Sequence, residues 1–457
     1  MTHDSQLGAC FMNELRLTFL LLLFAPLAGA AHFEQRNEVS YLRGKYNTAL
    51  FYRHNETFRN GAAIHFAHGI QHDYLQLTPL SEAARVDAKA NREYMDFLLN
   101  HRARTEPSME YYGPYVARGA WKLYRAIDWT HMHHEQTYDV MAERSIPWSE
   151  KKEWTDRTVR YYLEKNRDVA RSCAPLDVTM RRAGTMMKPY FTYFRNKYPK
   201  SNNFFFAAHW WHPVIYEAQM LGGNGPGQDM MVRQTDQVMY NQVLKDRPQR
   251  MLLSREVMPR YSRLSPESAN IFDNLHMLHG IAYDILAYEG WTMDEKRAEI
   301  YRVVEAMSYQ PGDEKLARKF KTPYPEMDPR RYEEWMKGFD GEMNRIMMEM
   351  QEEMMPLMMP EGKTMSEDRH KQMMEAFRKK LTPGMQEGEI EGSWHDAMMQ
   401  MMPDMKMDPE GMKPGKPARK MIEAMLEGWR KKYGDMPDIE PWPMADEPKP
   451  AMQTAQH

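Results

Sequence analysis

A fourfold repeat of His-x-x-His constrains the fold of this chain more than any other feature of its sequence. Each copy has histidines at positions i and i+3, a tyrosine or histidine at i+7, and a carboxylate at i+8. The copies run from His65 to Asp73, from His131 to Asp139, from His209 to Glu217 and from His276 to Asp284. With 17 histidines in 457 residues, chance predicts roughly 0.6 such pairs, so four copies indicate internal repetition.

The spacing of the copies predicts the architecture. They start 66, 78 and 67 residues apart, which accommodates one helical hairpin per repeat. Helix signals dominate residues 32–310, and strand signals are scarce. Ser265-Pro266 is typical of a helix start, and Thr292 followed by Glu295 forms a capping box. We therefore predict an all-α fold, a bundle of about four helical hairpins.

The repeat places its rings on one stripe of each helix. At about 100° per residue, positions i, i+3 and i+7 fall within roughly 60° of one another. The predicted metal ligands are the histidines of this stripe: His65, His68, His72, His131, His134, His209, His212, His276 and His279. Tyr138, Tyr216 and Tyr283 occupy the i+7 position and are expected close to the metal. The carboxylates Asp73, Asp139, Glu217 and Asp284 are expected to orient imidazoles by accepting their second N–H.

Two positions modify this ligand set. Pro213 follows His212 directly and is expected to start or kink a helix there, which would displace His209 and His212 from the other copies. His133 lies between the two repeat histidines of the second copy and is an additional candidate ligand.

The composition of this ligand set favours copper. A single His-x-x-His pair is more typical of a polar core, but four copies that converge in one bundle favour a metal, because buried imidazoles need partners. Helix-bundle di-iron sites draw on glutamates, whereas imidazole-rich sites suit copper or zinc. A di-iron centre or a b-type haem between paired histidines is the alternative. A scaffold whose histidines only pack is the third hypothesis.

The chain changes composition near residue 310. Of its 44 methionines, 17 lie in residues 1–300 and 27 in residues 301–457. The second part is also rich in Pro, Glu and Lys and poor in aliphatic residues, so we expect it to be partly disordered. The predicted domains are a signal peptide over 1–31, a helical metal-binding domain over 32–310 and a methionine-rich tail over 311–457.

Methionines cluster at short spacing in this tail. The predicted Cu(I) ligands are Met354, Met355, Met358, Met359, Met398, Met401, Met402 and Met405. Thioether sulfur is soft and uncharged, so it selects Cu(I). The tail resembles the Met-rich segments of periplasmic copper-resistance proteins, and this resemblance implies copper handling, with a copper-donor or copper-acceptor protein as partner. The alternatives are an amphipathic helix that uses Met as core filler and a surface that binds partner helices.

The N-terminal region predicts export. An apolar run from Leu17 to Phe24 precedes the small residues Ala28 to Ala31, the order of a secretory signal peptide. The run is too short for a stable membrane anchor, so we predict a periplasmic or secreted protein.

Cleavage of the signal peptide leaves Cys173 as the one cysteine, which excludes intramolecular disulfides and c-type haem attachment. A formal net charge of −3 with interspersed signs gives no indication of nucleic-acid binding. The predicted function is copper storage, copper delivery or a copper-dependent oxidase.

Overall fold

The computed structural model describes residues 41–106, 111, 113–165, 167–336, 341–381, 394–403, 405 and 409–434. The all-α prediction is confirmed, because these residues form helices and no β-strand; their β pairing is one isolated bridge between Arg171 and Ser308. The described residues from Leu42 onward form one compact unit. The predicted signal peptide lies outside the described residues, and no helix within them is long and apolar enough to cross a membrane.

The helices are numbered here in chain order. They are α1 Ala49–Arg53, α2 Asn55–Leu77, α3 Ala83–Asn100, α4 Pro114–Gly119, α5 Trp121–Ala142, α6 Trp148–Lys165, α7 Leu176–Ala183, α8 Tyr193–Lys197, α9 Pro199–Gly222, α10 Pro226–Val238, α11 Ser254–Val257, α12 Pro259–Leu264, α13 Pro266–Ala287, α14 Met293–Ala306, α15 Asp313–Lys319, α16 Tyr332–Met336, α17 Glu342–Met358, α18 Glu367–Leu381, α19 Trp394–Met401, α20 Pro409–Met412 and α21 Arg419–Tyr433. Short 3₁₀ segments span Leu80–Glu82 and Thr185–Met187, and a π-helical turn spans Met239–Val243.

Each copy of the repeat lies on its own long helix: α2, α5, α9 and α13. A short helix precedes each long helix, separated from it by a single residue, and the next helix along the chain packs back against it. We call these groups units 1 to 4, comprising α1–α3, α4–α6, α8–α10 and α12–α14. Helix α2 packs against α9 and α13, and α5 packs against the same two. The long helices therefore enclose a shared interior, with α2 opposite α5.

Local sequence signals explain where α13 and α14 begin. Ser265 caps α13 by accepting the N–H of Ser268, and Pro266 occupies the first helical position, where no N–H is needed. Thr292 and Glu295 form the predicted capping box at the start of α14. These starts fix the register of the fourth His-x-x-His copy relative to its hairpin partner.

The expectation that Pro213 would displace the third copy is wrong. Helix α9 runs without interruption from Pro199 to Gly222, with Pro213 inside it. The proline only removes the N–H that would otherwise bind the carbonyl of His209 four residues earlier. Phe205 and Trp210 on the same helix are buried, so tertiary packing holds the helix through the proline.

The described part of the tail is folded, and the other residues of 311–457 lie outside the described ranges. Helix α21 packs against α7 and α17. Trp429 is fully buried and donates its indole N–H to Asp177 at 2.6 Å. Arg181 makes two hydrogen bonds to Glu353 of α17, at 2.7 and 3.0 Å. Buried polar contacts and apolar burial therefore attach residues beyond 311 to the helices that carry the repeat.

Candidate metal centre

The four copies bring their histidines into one cluster, which we call the histidine core: His65, His68, His72, His131, His134, His209, His212, His276 and His279. All nine are buried. His65 stacks on His131 with ring centroids 3.8 Å apart, and His209 lies 3.6 Å from His276. The stripe predicted from helical periodicity therefore places all the predicted histidine ligands in the shared interior.

Contacts continue from ring to ring across the core. His68 lies 4.9 Å from His279 and 6.3 Å from His209, between ring centroids. His212 lies 5.2 Å from His65 and 6.0 Å from His276. Phe205 and Phe272 close the sides, each in edge contact with the imidazoles. These two phenylalanines belong to the site, although the repeat pattern does not single them out.

Eight of the core imidazoles have lowered pKa values, which holds them neutral. Burial lowers the pKa of His72 to about 3. Burial, followed by repulsion from neighbouring imidazoles, lowers the pKa of His68, His131, His134, His209, His212, His276 and His279 well below the usual value. A neutral imidazole keeps one ring nitrogen as a lone-pair donor, which is the form that binds a metal ion.

Nine ring nitrogens in this core are buried without a hydrogen-bond partner. Both nitrogens of His68, His209 and His212 are in this state, together with Nδ1 of His72, Nε2 of His134 and Nδ1 of His279. Buried polar groups in native proteins are nearly always hydrogen-bonded, because leaving one unpaired costs about 1–3 kcal/mol. This number of unpaired nitrogens in one interior is the most unusual chemical feature of the molecule.

The tyrosines at position i+7 bind backbone carbonyls and not a common centre. Tyr138 donates its hydroxyl hydrogen to the carbonyl of His212 at 2.5 Å, and Tyr216 donates to that of His134 at 3.2 Å. Tyr283 donates to the carbonyl of His68 at 3.3 Å. His72, the histidine variant of this position, reaches across to His279, with 2.7 Å between the two Nε2 atoms. The i+7 residues thus fasten the long helices to one another.

The carboxylates at i+8 do not orient imidazoles, so that expectation is corrected. Each accepts backbone N–H groups at the start of a short helix. Asp139 binds Thr48 and Leu50 at 2.8 and 2.7 Å, and Asp284 binds Thr192 and Phe194 at 3.1 and 2.7 Å.

The other two carboxylates act in the same way. Asp73 accepts the N–H of Tyr115, and Glu217 accepts the N–H of Arg260. Unit 1 and unit 2 thus cap each other, as do unit 3 and unit 4. Burial raises the pKa of Asp139 to about 7 and that of Asp284 to about 8.

Two glutamates that the repeat pattern does not include also belong to the site. His65 Nδ1 lies 2.6 Å from Glu106 Oε1. His65, Glu106 and Glu135 have ligand atoms that all lie within 4.8 Å of one another, the one set of three or more with this property among the described residues. Glu135 directly follows His134 on α5, one turn from His131, so its sequence position could have indicated it. Glu106 follows α3 in a loop, and only the tertiary fold brings it here.

The remaining predicted ligands lie elsewhere. His133 points away from the core, 3.0 Å from the Ser268 hydroxyl and stacked on Tyr162. The tail methionines Met354, Met355, Met358, Met398, Met402 and Met405 are buried among apolar side chains, with Met359 packed beside them. The side chain of Met401 lies outside the described residues. For the methionines with described side chains, the contacts are those of the core-filler alternative.

The site therefore comprises an imidazole interior and a carboxylate-bearing edge at His65. The interior rings contact one another, and a metal ion bound among them requires their nitrogens to turn toward a common point. Neither a protein-family model, nor a curated protein, nor a solved structure matches this chain.

Proposed function

We propose that this protein binds a copper ion among the imidazoles of its histidine core. The observation that carries the proposal is the set of nine buried ring nitrogens without hydrogen-bond partners. A metal ion would satisfy several of them at once and offset the cost of burying polar rings. His68, His209, His212, His276 and His279 are the residues that would hold it, because each is at most 4% exposed and lies within ring contact of another.

The donor set supports copper over other cofactors. Imidazole-only donors suit copper and zinc, and this interior contributes no carboxylate of its own. A neutral donor set is least costly to bury around a low-charge ion, which favours Cu(I) over a dication. A b-type haem between paired histidines fits less well, because the imidazole rings of facing helices contact each other where a porphyrin would lie.

The other parts of the sequence hypothesis remain proposals. Export to the periplasm or outside depends on residues 1–31, which lie outside the described residues. A copper donor or acceptor protein would be the partner of a storage or delivery function. A copper-dependent oxidase would need a path for its substrate into the core. The scaffold hypothesis leaves the nine unpaired nitrogens without an explanation.

Copper titration of the metal-free protein tests the proposal. The full chain, stripped with a chelator, is titrated with Cu(I) under reducing conditions, and its melting temperature is followed with and without copper. We expect a stoichiometric site and a rise in melting temperature, because a ligand that binds only the folded state stabilises it. Substituting His209→Gln removes one central ligand and is expected to weaken binding about 10–100-fold.

The matched control is His54→Gln. His54 is also buried, but it pairs with Gln228 outside the histidine core, so this variant is expected to keep parental copper affinity. Circular dichroism of both variants verifies that they fold. The proposal fails if the parent does not bind copper, or if His209→Gln binds it as tightly as His54→Gln does.

A further inference from the structure

The edge of the histidine core combines ligand types that its interior lacks. Helix α2 supplies His65, helix α5 supplies Glu135, and the loop after α3 supplies Glu106. The side chain of Glu106 is only 6% exposed and that of His65 only 7%. Two carboxylates beside one imidazole, with ligand atoms mutually within 4.8 Å, form a donor set of the kind that binds divalent cations.

A second observation points to a ligand at the same place. A cavity of about 20 Å³ opens beside these residues and is also lined by His134 and His212. This volume holds about one water molecule or ion. Both ring nitrogens of His212 and the Nε2 atom of His134 are buried without a hydrogen-bond partner. The cavity thus has imidazole nitrogens without hydrogen-bond partners on one wall and carboxylates on the other.

The second half of the molecule shows that the fold does not require these glutamates. The offset from His131 to His276 places Gly280 as the counterpart of Glu135. Gly280 lines a pocket together with Phe205 and Met251. The one carboxylate in the lining of this pocket is Asp284, which accepts backbone N–H groups at the start of α8. The same arrangement of short and long helices is therefore built without a glutamate in this pocket. A role in folding alone does not account for Glu106 and Glu135.

We propose that His65, Glu106 and Glu135 bind a second metal ion, a divalent cation such as Mn(II), Fe(II) or Zn(II), beside the copper. Two carboxylates neutralise the charge of a dication, which the imidazole interior cannot do. His134, whose Nε2 atom has no hydrogen-bond partner, is available as a further ligand across the cavity. The proposal deepens the proposed function, since it makes the histidine core a centre for two ions of different type.

Manganese provides the probe, because free and bound Mn(II) are distinguished by electron paramagnetic resonance. The metal-free full chain is titrated with Mn(II), with and without prior loading of copper. We expect the double variant Glu106→Gln with Glu135→Gln to bind Mn(II) at least about tenfold more weakly than the parent, with copper affinity unchanged. The control is the double variant Glu93→Gln with Glu305→Gln, which changes the same number of glutamates away from the site.

The Mn(II) and copper titrations together test both proposed sites. Mn(II) affinity of the Glu106 and Glu135 double variant within about twofold of the control would overturn the second site, and so would a parent that binds neither Mn(II) nor Zn(II). A parent that binds Mn(II) but no copper would support this site and defeat the copper proposal. If circular dichroism shows the double variant unfolded, Glu135→Gln alone replaces it, because Glu135 is only half-buried on the surface of α5.

Discussion

Asp139 and Asp284 stabilise a backbone conformation that their partners adopt rarely. Thr48 and Thr192 precede the short helices α1 and α8 with φ of +67° each, the only non-glycine residues with positive φ in the described chain. A β-branched residue in this left-handed region is strained. The paired N–H bonds to one carboxylate hold the turn in place. The i+8 acid is thus a structural residue of the repeat.

Substituting Asp139→Asn is expected to destabilise the fold. The amide retains one acceptor oxygen and turns an NH₂ group toward a backbone N–H, so one buried donor loses its partner at a cost of about 1–3 kcal/mol. Urea unfolding of the variant against the parent measures the difference. The control is Asp294→Asn, whose side chain is 87% exposed. Equal losses in both variants would contradict the capping role.

Substituting Thr48→Gly is expected to raise stability. The substitution removes left-handed backbone strain of about 1–2 kcal/mol. The greater conformational freedom of glycine in the unfolded chain offsets about 0.5–1 kcal/mol of this stabilisation. A net increase in the unfolding midpoint is the expected result. Thr292→Gly is the comparison, because Thr292 has ordinary geometry with φ of −68° and caps α14; that variant is expected to lose stability.

At this scale the sequence predicted which histidines meet but not what the other repeat residues do. Helical periodicity alone places i, i+3 and i+7 on one stripe, and the structure brings all nine predicted histidines together. The backbone N–H groups that the i+8 carboxylate binds lie in another unit; Leu50 and Asp139, for example, are 89 residues apart in the sequence. No local pattern contains that information. Glu106 was missed for the same reason.

At the scale of helices, the methionine-rich segments behave as packing elements. Met347, Met350 and Met354 of α17 are buried in the same apolar cluster as Trp429 of α21. Methionine is unbranched and fills irregular spaces, so a helix poor in Leu and Ile can still bury a face. A count of aliphatic residues alone therefore understates how much apolar surface these methionine-rich helices bury. The all-α class was predictable because strand signals are scarce and because the starts of α13 and α14 carry explicit caps, at Ser265 and Thr292.

The ion pair between Arg181 and Glu353 tests how the tail is attached. Arg181 is fully buried on α7, and Glu353 lies on α17 with 18% of its side chain exposed. Substituting Glu353→Gln removes the nearer charge partner of a buried guanidinium and leaves only Asp177 at 4.0 Å, which is expected to cost about 3 kcal/mol. The neighbouring exposed Glu352→Gln is the control. Thermal unfolding that shifts no more in Glu353→Gln than in Glu352→Gln would show that apolar packing alone holds the tail.

For the whole molecule, the neutral imidazoles predict a strong acid sensitivity of the metal-free protein. Unfolded histidine takes up a proton near pH 6.5, whereas His72 in the fold does so only near pH 3, and the other core histidines with lowered pKa values behave alike. Between these values the unfolded state binds more protons, so stability falls as the pH drops below 6.5.

The buried carboxyl groups oppose this trend. Their pKa values are raised in the folded state, as for Asp284 at about 8. Between pH 8 and pH 4 the folded state therefore binds more protons at these groups, and each of them stabilises the fold more as the pH falls. Among the described residues, eleven histidines have lowered pKa values and seven carboxyl groups have raised ones, so we expect a net loss of stability. Urea midpoints of metal-free protein at pH 7.5, 6 and 5 measure it. A midpoint that stayed constant or rose toward pH 5 would contradict the neutral-core description.

The pairing of the units has a consequence for how such a core can be assembled. Capping contacts join unit 1 to unit 2 and unit 3 to unit 4, whereas Tyr138 binds across to unit 3 and Tyr283 across to unit 1. Exchanging unit 1 with unit 3 and unit 2 with unit 4 converts each contact into its counterpart. The two halves of the chain thus meet as the subunits of an isologous homodimer do, about a pseudo-two-fold axis. A half-length chain with two copies of the repeat would build the same interior by dimerising.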